Sequence, residues 1–225
     1  MNQYRGWPFA KGGEKNLLTA TALWVASLLL YLLNRQKFSK FLLALMTPIW
    51  LIIVYFFRDP ERKTTAAAGT VVAPADGTVV EISKEVETRY LQQELIRVSI
   101  FLSLFNVHVQ RVPLSGRVTQ IDHVPGQFLQ AFRPEASDVN EYIAMIIESA
   151  YGHILTKQIA GITARRCVNY LSVGDEVQVG ERFGMIRFSS RVDLFLPADA
   201  ELLIREGDAV SAGVTQMAKL ADKSG

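Results

Sequence analysis

Two apolar runs near the start of the chain, Leu17 to Leu33 and Phe41 to Phe57, constrain this sequence more than any other feature. The first carries no charge, and the second is interrupted only by Pro48. Each is 17 residues long, about 25 Å as helix, which is the short end of what a bilayer span requires. Neither run has a polar face, and a helix that is apolar all round suits lipid better than a soluble surface. A signal peptide does not fit the first run, because no small-residue cleavage site follows Leu33 and a second apolar run comes at once. The linker between them, Asn34-Arg-Gln-Lys-Phe-Ser-Lys40, is short and basic. The expectation is a helical hairpin, either two crossings or one re-entrant loop.

The positive charges give an orientation. Arg5, Lys11, Lys15, Arg58, Arg62 and Lys63 flank the outer ends of the hairpin, against Arg35, Lys37 and Lys40 in the linker. That excess favours both ends on the cytoplasmic side, with everything after residue 63 facing the cytoplasm from the inner membrane. Net charge is only +2, which gives no basis for a nucleic-acid partner. Cys167 is the single cysteine, so there is neither an internal disulfide nor a CxxC metal site, and it reads as a small buried residue. No two His, or His and Cys, share a ligand spacing, and no metal is expected.

After a small-residue linker, Thr64 to Gly69, the texture changes to short Val-, Ile- and Phe-rich runs split by Gly, Pro and Asp. Residues 70–73, 77–82, 96–102 and 116–121 read as strands. Asp138 to Ala150 is the best helical candidate beyond residue 64. Gly174-Asp-Glu-Val-Gln-Val-Gly180 and Gly207-Asp-Ala-Val-Ser-Ala-Gly213 share a GDxVxxG pattern, in which Gly-Asp suits a tight turn and the second Gly a return into the next strand. Such repeats recur in β-sandwich barrels that resemble lipoyl domains. The expected architecture is therefore mainly β: a lipoyl-like β-sandwich or barrel, residues 64–225, behind an N-terminal transmembrane helical hairpin, residues 1–63.

Four segments then stand in order: Phe56-Phe-Arg-Asp-Pro-Glu-Arg62; Ala73-Pro-Ala-Asp-Gly-Thr-Val79; Phe105-Asn-Val-His-Val-Gln-Arg-Val-Pro113, with Val124-Pro-Gly-Gln-Phe128 after it; and Arg182-Phe-Gly-Met-Ile-Arg-Phe-Ser-Ser-Arg-Val-Asp193. Gln158-Ile-Ala-Gly161 and Ala164-Arg-Arg166 accompany them. Together they resemble the phosphatidylserine decarboxylase family in its short, type II form, over about residues 50 to 218. The resemblance implies a proenzyme that cuts itself between Ser189 and Ser190 into chains 1–189 and 190–225, which stay partners. Ser190 would become a covalent pyruvoyl cofactor. That group would form a Schiff base with the amine of a phosphatidylserine substrate and yield phosphatidylethanolamine and CO₂.

The same resemblance offers Asp76 and His108 as activating groups for Ser190, the residue types suited to that work. Which of them acts as base is open. Arg111, Arg187 and Arg191 are candidates for the phosphate of the head group, since Arg suits phosphate; Arg165 and Arg166 lie near matched motifs too. Two departures stand out. The family usually has Gly where this chain has Ser189, and Gly eases strained geometry. Its longer, type I branch has a second His where this chain has Arg111, which stays protonated and cannot act as a base. His123 and His153 read as structural. Two other readings are a non-catalytic membrane adaptor with a lipoyl-like sandwich and a family member that stays unprocessed. The adaptor class usually inserts a long coiled-coil hairpin, and no heptad run appears. The oligomeric state is left open.

Overall fold

The computed structural model describes residues 8–130, 136–161, 167–187 and 190–222. The chain divides between Pro60 and Glu61 into two compact units.

The first unit is a helical hairpin of α1 (Glu14–Leu33) and α2 (Lys37–Phe56). Each has 20 residues, about 30 Å of helix, long and apolar enough to cross a membrane by length and composition. Pro48 sits inside α2 without ending it, as apolar spanning helices tolerate. A reciprocal lock joins the helices. The indoles of Trp24 and Trp50 stack at 4.7 Å. Trp24 Nε1 donates to Thr47 Oγ1 and Trp50 Nε1 to Thr21 Oγ1, both at 3.1 Å. In hydrocarbon each of these donors would otherwise be unsatisfied, so the two bonds select one pairing of the helices.

The second unit is mainly β. Its strands are β1 (Thr70–Val72), β2 (Gly77–Glu87), β3 (Gln93–Leu102), β4 (Val109–Arg111), β5 (Gly116–Val124), β6 (Tyr142–Ser149), β7 (Gly152–Ala160), β8 (Cys167–Asn169), β9 (Glu176–Val177), β10 (Arg182–Ile186), β11 (Ser190–Pro197), β12 (Glu201–Leu202), β13 (Ala209–Val210) and β14 (Gln216–Lys219). An eight-stranded sheet runs β13-β2-β3-β11-β7-β6-β5-β9, accompanied by two three-stranded sheets, β4-β10-β8 and β1-β14-β12. One face of the large sheet, with Val98, Ile100, Val192 and Leu194, joins the main core. The other face carries a smaller cluster that includes Tyr142, Leu155 and Phe195.

The expected helix over residues 138–150 is not formed. Only Ala136–Val139 is helical, and Tyr142–Ser149 is strand β6, paired with β5 and β7. The six residues 142–147 are all buried. A strand covered on both faces shows no alternation, and its apolar run cannot be told from a buried helix by periodicity.

The GDxVxxG repeats form two equivalent turns. In each, the Asp carboxylate accepts the amide three residues earlier: Ser172 N–H to Asp175 at 2.8 Å and Arg205 N–H to Asp208 at 3.0 Å. Each turn is stitched to a second repeated segment, Ala73-Pro-Ala-Asp-Gly-Thr-Val79 in one case and Val112-Pro-Leu-Ser-Gly-Arg-Val118 in the other. Gly174 N–H donates to Val118 O and Gly207 N–H to Val79 O, while Gly180 N–H donates to Val112 O and Gly213 N–H to Ala73 O. The residue before each segment bonds the proline of the other, Arg111 N–H to Pro74 O and Val72 N–H to Pro113 O. Gly180 and Gly213 adopt positive φ, +84° and +71°, and meet beside Thr64, so a side chain at either would collide with this junction.

Two outcomes follow. Replacing both Thr21 and Thr47 by Val should lower the stability of the hairpin in detergent by about 1 kcal/mol, read as an earlier loss of helical signal on titration with a denaturing detergent. At the end of β2, Glu87 is nearly closed off from water. Burial opposes its charge, but the amides of Leu91, Tyr90 and Arg89 donate to it and Lys157 adds a positive charge, so its pKa falls below the usual 4.5. A depressed carboxylate pKa stabilises the fold above the unfolded value, and that stabilisation disappears as pH falls through the folded value. Glu87→Gln should therefore be less stable near neutrality and show a flatter loss of urea midpoint below pH 4.5 than the parent.

Candidate active site

Ser190 is the first residue of β11, and β11 is hydrogen-bonded on both edges. Ser190 pairs with Leu102 of β3 and with Ala160 of β7, and all eight residues of the strand are buried. The Ser190 hydroxyl has no accessible surface and finds no hydrogen-bond partner among the described residues. A buried hydroxyl left so costs about 1–3 kcal/mol and asks for a reason. Ser189, the other half of the expected cleavage site, lies outside the described residues, as do Arg165 and Arg166.

Side chains alternate along β11. Ser190 shares its face with Val192 and Leu194, toward the main core. One pair along, Val192 opposes Gln158 of β7, whose Nε2 donates to Gln110 Oε1 on β4 at 3.0 Å. Gln110 Nε2 donates to the carbonyl of His108 at 2.8 Å, and Ile186 N–H donates to the same carbonyl. Gly184 of β10 allows this stacking, since a Cβ there would fall 2.6 Å from Gln158 Nε2. His108 is thus carried over the Ser190 face by β4 and β10.

The His108 ring is wholly buried, and its Nδ1 lies 3.0 Å from Asn106 O. A carbonyl can only accept, so Nδ1 carries the proton. In the neutral ring Nε2 then holds the lone pair that a base needs.

Asp76 precedes the first residue of β2, in the segment 74–76 that bonds β4. Its carboxylate is heavily engaged. Arg62 donates to both oxygens, at 2.5 Å and 2.8 Å, and Ala212 N–H donates to Oδ1 at 2.8 Å. Arg62 also donates to Ala212 O, and Thr64 to Gly213 O. The equivalent position in the other repeat is Ser115, whose hydroxyl accepts Val179 N–H at 2.9 Å. Sequence reading missed Arg62 as a site residue. The repeated Pro-x-x-Gly-x-Val pattern in the two segments was a readable signal of the equivalence, though not of the Arg62 contact.

The three head-group candidates fall in different places. Arg187 is half-buried and follows Ile186, whose amide bonds His108. Arg111 is buried and donates to Gly180 O. Arg191 lies on the face of β11 opposite Ser190. Its Nε donates to the fully buried Asp193 at 2.6 Å, and Nη2 donates to Ser99 at 2.6 Å and Glu81 at 3.2 Å. Ser137 donates to the other oxygen of Asp193 at 2.7 Å. This geometry gives Arg191 the role of fixing the strand from behind. Cys167 is buried, with its pKa pushed up by burial and by the charge of Glu141, so it is held as a neutral thiol. His123 and His153 are exposed and face Glu141 and Glu148. No cluster suited to a metal ion occurs among the described residues.

The features that stand out are a mainly β domain, a buried serine at the head of its central strand with no hydrogen-bond partner among the described residues, and a helical hairpin long and apolar enough to cross a membrane. Residues 50–218 match the phosphatidylserine decarboxylase family. Among curated relatives named phosphatidylserine decarboxylase proenzyme, that of Symbiobacterium thermophilum is 40% identical over 217 residues, covering 96% of this chain and 94% of the relative. That of Magnetococcus marinus is 48% identical over 172 residues, 76% and 78% of the two chains, and that of Pelobacter propionicus is 41% identical over 220 residues, 96% of each. The chain belongs to the phosphatidylserine decarboxylase family.

The buried pair behind Ser190 can be tested directly. Asp193→Ala removes the fully buried carboxylate beside Arg191 and leaves only the partly exposed Glu81 to face its charge; it should cost about 3 kcal/mol in urea unfolding. The double replacement Arg191→Met with Asp193→Leu should recover most of that loss.

Proposed function

We infer that this chain is a self-processing, pyruvoyl-dependent decarboxylase that converts phosphatidylserine to phosphatidylethanolamine and CO₂. The observation that carries the reading is the Ser190 hydroxyl, buried and without a hydrogen-bond partner among the described residues, at the head of β11 in a member of this family. A hydroxyl that satisfies no structural bond is available to react. The adaptor reading is not favoured.

In processing, Ser190 Oγ attacks the carbonyl of Ser189 and the acyl group moves from nitrogen to oxygen. His108 is proposed to take the hydroxyl proton, because its Nδ1 bond to Asn106 leaves the lone pair on Nε2. Asp76 is proposed to act as a fixed negative charge. Both of its oxygens are already engaged by the Arg62 guanidinium, and one of them by the Ala212 amide as well. Elimination then breaks the Cβ–O bond of the ester, releasing a chain that ends in the Ser189 carboxylate and leaving dehydroalanine at 190; its imine tautomer takes up water and loses ammonia, so that residues 190–225 begin with the pyruvoyl group derived from Ser190.

The lack of any bond to Ser190 Oγ among the described residues fits conversion of that side chain, since no structural contact is lost. The pyruvoyl group supplies an electron sink for the charge left when CO₂ departs. The chain's own residues bind, hold and exclude. β3 and β7 keep residue 190 in place through the pairings with Leu102 and Ala160. Arg187, joined through the Ile186 amide to His108, is the proposed partner of the head-group phosphate. His108 is proposed to deliver the proton that replaces CO₂. The hairpin is proposed to hold the enzyme in the inner membrane with the β-domain on the cytoplasmic side, following the positive charges that flank it.

Purified enzyme should appear as two chains on a denaturing gel, the smaller beginning at residue 190 with a blocked N-terminus by intact mass. Ser190→Ala should remain a single chain without decarboxylase activity; normal cleavage would remove Ser190 from the mechanism. An uncut parent chain from active membranes would leave the unprocessed reading. His108→Gln should process at least about tenfold more slowly in a pulse-chase experiment.

A further inference from the structure

Between Leu102, the β3 partner of Ser190, and His108 the chain makes a tight excursion through residues 103–106. Asn106 closes it. Asn106 N–H donates to Ser103 O at 3.1 Å, and the Asn106 side-chain oxygen accepts both the amide and the hydroxyl of Ser103, at 2.9 Å and 2.7 Å. The Asn106 carbonyl in turn holds His108 Nδ1. The turn is therefore fixed by its own polar atoms, and its tip is given to two large apolar side chains. Leu104 is 52% exposed and Phe105 is 76% exposed. Among the described residues, the other exposed large apolar residues of this unit stand singly in the sequence, Val86 and Val173 among them, and Phe105 is its one exposed aromatic.

A rigid turn that presents adjacent Leu and Phe side chains to solvent next to a proposed reaction centre is unlike the rest of this unit's described surface. Such side chains are characteristic of contact with an apolar phase, and aromatic and leucyl side chains favour the headgroup boundary of a bilayer. We propose that the turn at residues 103–106 is a lipid-insertion tip: Leu104 and Phe105 enter the membrane interface and bring the region of Ser190 and His108 down onto the phospholipid head groups. A phospholipid keeps its acyl chains in the bilayer while its head group reacts, so the rim of such a site must touch the lipid surface. The occupant is the bilayer of substrate lipid, and the tip selects for substrate in that bilayer over substrate dispersed in water.

The inference rests on the reaction centre proposed at Ser190 and His108, and its test reads lipid contact without turnover, so the two can fail separately. Cys167 is buried, so Phe105→Cys in the full chain offers one accessible thiol for an environment-sensitive fluorophore. Val173→Cys, at a site 61% exposed on another turn, serves as reference. In vesicles of phosphatidylcholine and phosphatidylglycerol, the probe at 105 should emit to the blue of the probe at 173 and be quenched by spin-labelled lipid. Equal emission and no quenching at 105 would overturn the proposal. So would a blue shift that grows with protein-to-lipid ratio and resists lipid-borne quencher, which would mark a second copy as the occupant. In parallel, Leu104→Ser with Phe105→Ser, confirmed as cleaved on a gel, should lower the ratio of activity on bilayer phosphatidylserine to activity on a water-dispersed short-chain form at least about tenfold. An unchanged ratio would also overturn it.

Discussion

The rest of the domain depends on the pairing of β11. Its neighbours β3 and β7 hydrogen-bond it along both edges, and none of its residues reaches solvent. A strand in that position cannot shift register by one residue without sending Ser190, Val192 and Leu194 to the opposite face. The residue at its head is therefore located by the whole sheet. This suits a proposed reaction that severs the chain at that residue, because the pairings of Arg191 to Phe195 on both edges lie beyond the bond to be broken.

The two faces of β11 divide the work. Behind the strand, Arg191 and Asp193 form a buried ion pair whose remaining polar atoms are taken up by Ser99, Glu81 and Ser137. A buried pair is weak evidence for net stability, yet either partner alone would be strongly destabilising, so the pair resists displacement of the strand. In front, the Ser190 hydroxyl makes no hydrogen bond among the described residues. Hydrogen-bonded polar groups on one side and an unengaged hydroxyl on the other would place the atom proposed to react firmly while leaving it chemically uncommitted.

The hairpin was legible because an apolar run of that length has few alternatives, and the strands around Gly77, Ile96 and Gly116 because β-branched runs end at Gly and Pro. Strand β6 was not, since residues 142–147 are buried on both faces and lose the alternation that marks a strand. Within the site, the motifs pointed to Ser190, His108 and Asp76, but partners set by tertiary folding were out of reach. Nothing local says that Arg62 grips Asp76, or that the amide of Ala212, far along the chain, donates to the same carboxylate. Arg191 and Asp193 are two apart, so a strand reading places them on one face. Their mutual neutralisation, which turns Arg191 from a head-group candidate into a support, became visible only with Ser99 and Glu81 around them.

The repeated turns carry a lesson about how such a site can arise. Asp76 and Ser115 occupy matching places in two copies of one motif, and each accepts an amide from the turn opposite, Ala212 and Val179. Ser115 shows that a hydroxyl is enough to hold the turn. The negative charge at Asp76 is thus surplus to the scaffold, and its Arg62 partner keeps that surplus tolerable. Two like positions in one repeated framework thus carry unlike groups, a charged one that needs a cation beside it and a neutral one that does not.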